Sequence, residues 1–144
     1  PLFFRISATD WLEEGGWTAD DTVRFAADLR AYGIDLLDVS TGGNASGVRI
    51  PTGPGYQVPL AREIRQKSGL TTRAVGLIVD PHQAEGIVAR GDADQVALAR
   101  AVLDDPRWGW HAAEVLGAEL TLPPQYARAG VKTWPGRKLL QAAE

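Results

Sequence analysis

Apolar residues along the chain fall alternately into short unbroken runs and into spaced stripes. Leu2 to Ala8 (LFFRISA) is the first run, too short for a helix and bounded by Pro1 and Asp10, so it predicts a strand. Thr18-Ala-Asp-Asp21 then signals a helix start. Thr18 is the N-cap, and Asp21 stands where a carboxylate meets the positive helix end. Phe25, Leu29 and Tyr32 share one stripe of this helix, and Gly33 stops it. Asp35 to Ser40 (DLLDVS) predicts a second strand. A loop over 41–56, with five glycines and two prolines, leads to a helix over 58–68 that Gly69 ends. The spacing predicts a third strand over Thr72 to Ile78. Asp80-Pro81 gives an N-cap followed by a helix-starting proline, and Ala84, Ile87 and Val88 form that helix's buried side before Gly91. Asp94 to Ala99 predicts a fourth strand, and Asp105-Pro106 repeats the start signal for a last helix ending near Gly117.

Strand followed by helix, four times over, implies parallel strands joined by helical crossovers. The segments AYGIDLLDVS and ARGDADQVALA form a faint internal repeat, each placing a helix-ending glycine just before an aspartate and an apolar strand. The strands read as nearly continuous apolar runs, as when both sheet faces are covered. Four such units make either half of an eight-fold β/α barrel or a small open α/β sheet. Residues 1–118 hold the four units. Residues 119–144 form a tail, with an ordered but irregular stretch over 122–130 and a terminal segment, 132–144, that reads as a short helix or as disorder.

With 144 residues, 44% of them apolar, the chain suffices for one domain with a real core. A net charge of −3 with scattered basic residues excludes a nucleic-acid groove. No apolar run approaches the roughly 20 residues of a membrane span, and the N-terminus has no signal-peptide pattern. There are no cysteines, which excludes a disulfide scaffold or a thiolate metal site, and only two histidines, His82 and His111. These features point to a soluble, cytoplasmic protein. The sequence also contains no methionine and opens on what reads as a core strand, which points to a processed N-terminus or to part of a longer polypeptide.

In parallel α/β architectures ligands gather at the carboxyl ends of the strands. Gly76 interrupts the third strand, which marks either a bulge or a close approach of backbone to ligand. Arg100 ends the fourth strand, where it either pairs with Asp104 or Asp105 or binds an anion. Backbone N–H groups at Gly76-Leu77 and Ala99-Arg100, joined by the Arg100 guanidinium, suit a phosphate, which needs converging donors and a fixed positive charge. Arg5 shares a face with Phe3 and Ser7. An interior arginine needs an acceptor, so Arg5 is read either as an ion pair with Asp38 or as a cation against an electron-rich cofactor ring. Asp35, Asp38 and Asp94 read as structural, His82 as solvated, and His111 with Trp108 and Trp110 as helix packing. No Gly-x-Ser-x-Gly nucleophile pattern is present.

The motifs PLFFRISATDW, GIDLLDVSTGG, GPGYQVPLAREIR, AVGLI, ADQVALARAVLDDPRW and LPPQYARAG, in that order, resemble the second half of the Old Yellow Enzyme family, and its bacterial, thermophilic-like class most closely. The resemblance runs from residue 1 to about residue 130. It implies strands five to eight of a (β/α)8 barrel that binds FMN, with NADPH or NADH as reductant and activated alkenes such as enones as substrates. It implies Arg5 at the flavin pyrimidine, where a cation favours the reduced anionic ring. It also implies Gly76, Leu77, Ala99 and Arg100 at the FMN phosphate, and a loop over 42–56 beside the substrate entrance. Arg128 would reach a neighbouring subunit's active site across a dimer interface, with Tyr126 as its anchor. Implied partners are the missing N-terminal half-barrel or a second copy of the chain, in a homo-oligomer, with no nucleic acid and no membrane. Two departures stand out. The family's Gly-Arg at the eighth strand is Ala99-Arg100 here, and the half that carries the substrate-binding histidines and the active-site tyrosine is absent, so no catalytic residue is assigned to this chain. A half-barrel on its own is expected to be inactive. The rival readings are a self-associating, non-catalytic half-barrel that binds phosphate-containing ligands and a barrel enzyme that uses no flavin.

Overall fold

The computed structural model describes residues 1–130, 132–136 and 139. The chain runs β1 (Phe3–Ser7), α1 (Ala19–Ala31), β2 (Leu36–Ser40), α2 (Val58–Ser68), β3 (Thr72–Ala74), α3 (Pro81–Ala89) and β4 (Gln95–Val96), then α4 (Arg100–Asp104), α5 (Trp108–Val115) and a 3-10 helix over Pro124–Ala129. The sheet order is β1-β2-β3-β4, and every neighbouring pair is parallel. Because the order never reverses and parallel crossovers are right-handed, the connecting helices all fall on one face of the sheet.

Strand alternation decides what each face carries. Ile6, Leu37, Val39 and Ala74 point to the helices and join Ala26, Leu29, Ala61, Ile64 and Ile87 in one core cluster. Phe4 meets the edge of Phe25 on α1 with ring centroids 5.7 Å apart. The opposite face carries Phe3, Arg5, Ser7, Leu36, Asp38, Arg73 and Gln95, and no described helix belongs to it. The expectation that both faces are covered therefore holds for only one of them among the described residues.

The capping signals act as the sequence implies. The Thr18 hydroxyl accepts from the Asp21 amide at 3.2 Å, and the Asp21 carboxylate accepts from the Thr18 amide at 3.0 Å. Asp80 accepts from the His82 amide at 3.0 Å at the head of α3. Gly69 closes α2 with φ +69°, a left-handed turn that glycine makes without Cβ strain.

Several boundaries depart from expectation. The third strand stops at Ala74 rather than Ile78, because Gly76 (φ +122°) and Leu77 (φ +50°) turn the chain out of the sheet. The fourth strand is Gln95–Val96 rather than Asp94 to Ala99, although the Ala97 amide still donates to the Ala74 carbonyl at 2.8 Å. The last helix follows Asp105-Pro106 as expected, as α5, but a short unexpected helix, α4, precedes it. Asp105 precedes a proline and adopts an extended backbone (φ −120°, ψ 93°), which ends α4. Its carboxylate then accepts from the Arg107 amide at 2.9 Å as α5 begins. Tyr32 is the C-cap of α1, where the stripe runs off the helix end, and is 85% exposed. Val88 is exposed rather than buried, since Ala84 and Ile87 form the core side of α3. The terminal segment expected over 132–144 lies largely outside the described residues.

One bidentate ion pair ties α2 to the start of β4. Arg65 donates from Nε and Nη2 to the two Asp94 oxygens, each at 2.9 Å, and Asp94 also accepts from the Thr72 amide at 3.0 Å. The Arg65 hydrogen bonds hold the Asp94 carboxyl below its ordinary value, against the opposing effect of burial. A depressed folded-state value means that the stabilisation is complete above the unfolded aspartate value, about 3.9, and is lost as pH falls through the folded one. Asp94→Asn is expected to be less stable than the parent at pH 7, with the gap closing below about pH 4 in pH-dependent urea titrations.

Candidate functional site

The carboxyl ends of the parallel strands are built by the loops that follow them. Gln57, just ahead of α2, is buried. Its Oε1 accepts from the Thr41 hydroxyl at 2.6 Å, and its Nε2 donates to the Val75 carbonyl at 3.0 Å. One side-chain amide thus joins the loop after β2 to the loop after β3. The Gly55 amide adds a bond to the Gly76 carbonyl at 2.8 Å. A Cβ on Gly76 would lie 2.8 Å from Gln57 Nε2 and 2.9 Å from Tyr56 Cε1, so both φ and the packed loop require glycine. The next residue, Leu77, holds a left-handed φ of +50°, a strained conformation of the kind that clusters at ligand-contacting loops. From the far side, Trp108 Nε1 on α5 donates to the Val79 carbonyl at 2.8 Å. Gln57→Leu removes two bonds around a buried amide, and roughly 2–3 kcal/mol of stability should be lost in chemical denaturation.

This bracing leaves donors free. Among the described residues the amides of Gly76, Leu77, Ala99 and Arg100 donate to no protein acceptor. They follow adjacent strands that run in register, Ala74 beside Val96. The Arg100 side chain is exposed and has no carboxylate partner in the described set. Asp105, one of its two expected partners, pairs instead with His111 Nδ1 at 2.6 Å. Ala99 has a negative φ of −117°, so this position does not need the left-handed backbone that favours glycine. Four free amides and an unpaired guanidinium form a donor set suited to a phosphate monoester.

Arg5 lies two residues before the end of β1, on the face away from the helices. Its Nη1 meets Asp38 Oδ2 at 3.3 Å, so the ion pair expected as one reading is present. The arginine side chain nonetheless remains 62% exposed, against 11% for the aspartate. Arg5 can therefore keep its partner and still present the rest of its guanidinium to a ligand. Asp38 Oδ1 is buried and accepts no hydrogen bond in the described structure.

Tyr126 and Arg128 ride on the 3-10 helix of the tail. The Tyr126 ring packs edge-on against Trp110 at 5.3 Å, and the Arg107 guanidinium sits 5.3 Å from the Trp110 ring and 5.7 Å from that of Tyr126. Tyr126 thus anchors the tail on α5. Arg128 is exposed, and no described contact joins it or Tyr126 to the strand ends. A cleft of about 630 Å³ between the end of α5 and the tail is lined by residues such as Glu114, Leu120, Leu122 and Thr133, and none of the strand-end donors borders it.

Sequence reasoning missed Gln57 and Trp108 as supports of the site. Gln57 stands directly before a helix without capping it, which was the available signal. Trp108 is read as helix packing, and nothing in its spacing reveals that its indole N–H reaches a carbonyl 29 residues away.

Residues 2–119 match the model of the NADH:flavin oxidoreductase / NADH oxidase family. The chain is 44% identical over 129 residues to an NADPH dehydrogenase of Listeria innocua serovar 6a, covering 90% of this chain and 38% of that protein. It is also 44% identical over 128 residues to an NADPH dehydrogenase of Geobacillus thermodenitrificans, covering 89% of this chain and 37% of that one. This chain therefore spans less than two fifths of the length of these relatives. Among solved structures, the histamine dehydrogenase from Rhizobium sp. 4-9 superposes with a TM-score of 0.65 at 24% identity, over 78% of this chain and 16% of the other, a likeness of fold alone.

Proposed function

Since the chain belongs to the NADH:flavin oxidoreductase / NADH oxidase family, we propose that it supplies the FMN-holding half of a flavin-dependent NAD(P)H oxidoreductase. The observation that carries this reading is the set of four amides and the Arg100 guanidinium at the ends of β3 and β4 that have no acceptor among the described residues. When bound, FMN supplies the two-electron carrier between a nicotinamide and the substrate. The residues of this chain bind and orient it. Arg100 and the amides of Gly76, Leu77 and Ala99 hold the phosphate, while Gln57 and Trp108 keep their loop in place. Arg5, steadied by Asp38, offers positive charge to the pyrimidine side and favours electron density there.

The finer reading is an ene-reductase that acts on activated alkenes such as enones in the cytoplasm. Tyr126 fixes the tail, and Arg128 extends toward the active site of a neighbouring copy in a homo-oligomer. Among the described residues, no helix is long and apolar enough to cross a membrane. In this reading the groups that bind the enone carbonyl and donate the proton come from the other half of the barrel, outside these 144 residues.

The test is flavin content and turnover in the barrel-complete enzyme. Acid extraction should release FMN, NADPH should bleach the flavin absorbance, and a cyclic enone should restore it under anaerobic conditions. A purified, folded enzyme that takes up no FMN on reconstitution sinks the reading. One that is bleached but not reoxidised by the enone sinks only the substrate class.

A further inference from the structure

The open face of the sheet carries one register row that crosses all four strands. Arg5 lies beside Asp38, Asp38 beside Arg73, and Arg73 beside Gln95. The sequence alone does not disclose this row, because it depends on the register between strands that lie far apart in the chain. The charges in it do not cancel. Asp38 bonds Arg5 through Oδ2. Arg73 donates from Nε and Nη2 to Gln95 Oε1 at 3.2 and 2.9 Å, and its guanidinium lies 5.2 Å from the Phe3 ring of β1. Its partners are thus a neutral amide and an aromatic face, with no carboxylate among the described residues. The row holds one uncompensated positive charge on a face that a closed barrel removes from water.

We infer that this face is built to be covered by a strand layer presenting an aspartate or glutamate to Arg73, and that the charge row discriminates against closure by a second copy of the same chain. A buried cation must be paired, because its desolvation is otherwise unrepaid. Two identical halves would bring two such rows into one interior and double the unpaired charge. A layer with a carboxylate cancels it. The relatives, of which this chain spans 38% in one case and 37% in the other, have ample further chain for such a layer. The inference shares Arg5 with the flavin reading but turns on Arg73, to which that reading gives no role.

The test uses a charge-reversed copy of the chain as the acid-bearing layer. Sedimentation equilibrium is run at neutral pH on the parent, on Arg73→Glu and on their equimolar mixture, with far-UV circular dichroism to confirm folding. The mixture is expected to form a one-to-one complex at least ten-fold tighter than either chain forms with itself. Gln95→Glu, nearly isosteric, is the second arm. It sets a carboxylate beside Arg73 within the same row and should raise self-association at least ten-fold over the parent. The proposal stands if either arm shows its gain and falls if neither does.

Discussion

Arg100→Ala in the barrel-complete enzyme should weaken FMN binding by roughly 10- to 100-fold and leave riboflavin binding unchanged. A hydrogen-bonded ion contact contributes about 1.5–3 kcal/mol, and each 1.4 kcal/mol is a factor of ten in affinity. Riboflavin has the same ring and ribityl chain without the phosphate, so the difference between the two ligands isolates the contact at the strand ends. Arg5→Ala makes the complementary case. Its side chain is paired with Asp38 in mid-sheet rather than at the ends of β3 and β4. Its loss should reduce affinity for both ligands by a similar factor. Fluorescence titration of apoprotein with each flavin reads both variants. Equal losses of FMN and riboflavin on removing Arg100 would show that it does not hold the phosphate.

Leu37→Ala should cost roughly 2–5 kcal/mol of folding stability, the range for emptying a buried leucine site. Leu37 is fully buried in β2, between β1 and β3, and belongs to the cluster that includes Ala26, Ala61 and Ile64 from two helices. A site walled by sheet and helices collapses poorly, which favours the upper part of that range. Since domains are stable by only about 5–15 kcal/mol, the variant would lose much of its margin. The midpoint of urea denaturation should fall with little change in slope. The neighbouring Asp38 shares the strand, so the pairing with Arg5 should loosen as well.

The order of elements was legible because each carries its own local signal. The Thr18 capping box, the Asp80-Pro81 start and the Gly69 stop depend on a few adjacent residues, and all three hold in the structure. Strand ends were less legible. Thr72 to Ile78 is apolar enough for a seven-residue strand, but at Gly76 packing against Tyr56 and Gln57 sets a backbone angle that no hydrophobic pattern encodes. The same limit applies to α4, where Arg100 opens a helix rather than ending a strand, because the chain leaves the sheet after Ala97. Of the candidate site, the individual residues could be read from strand-end positions and from resemblance. The freedom of the Gly76, Leu77, Ala99 and Arg100 amides could not, since it depends on where every nearby acceptor is already engaged. The partnership of Arg5 with Asp38 was open in the sequence, and the register of β1 against β2 decides it by setting the two residues side by side.

The two flanks of the sheet are unequal. β4 contributes two residues to its ladder, too few to template a long addition, whereas β1 pairs along five. In a flanking parallel strand about half of the main-chain N–H and C=O groups point outward. β1 therefore offers a longer unpaired rail, bordered by the exposed rings of Phe3 and Phe4. An added extended segment is expected to pair with β1 before β4. In concentrated solution, runaway association should start there, and a lysine or proline placed on that rail should suppress it.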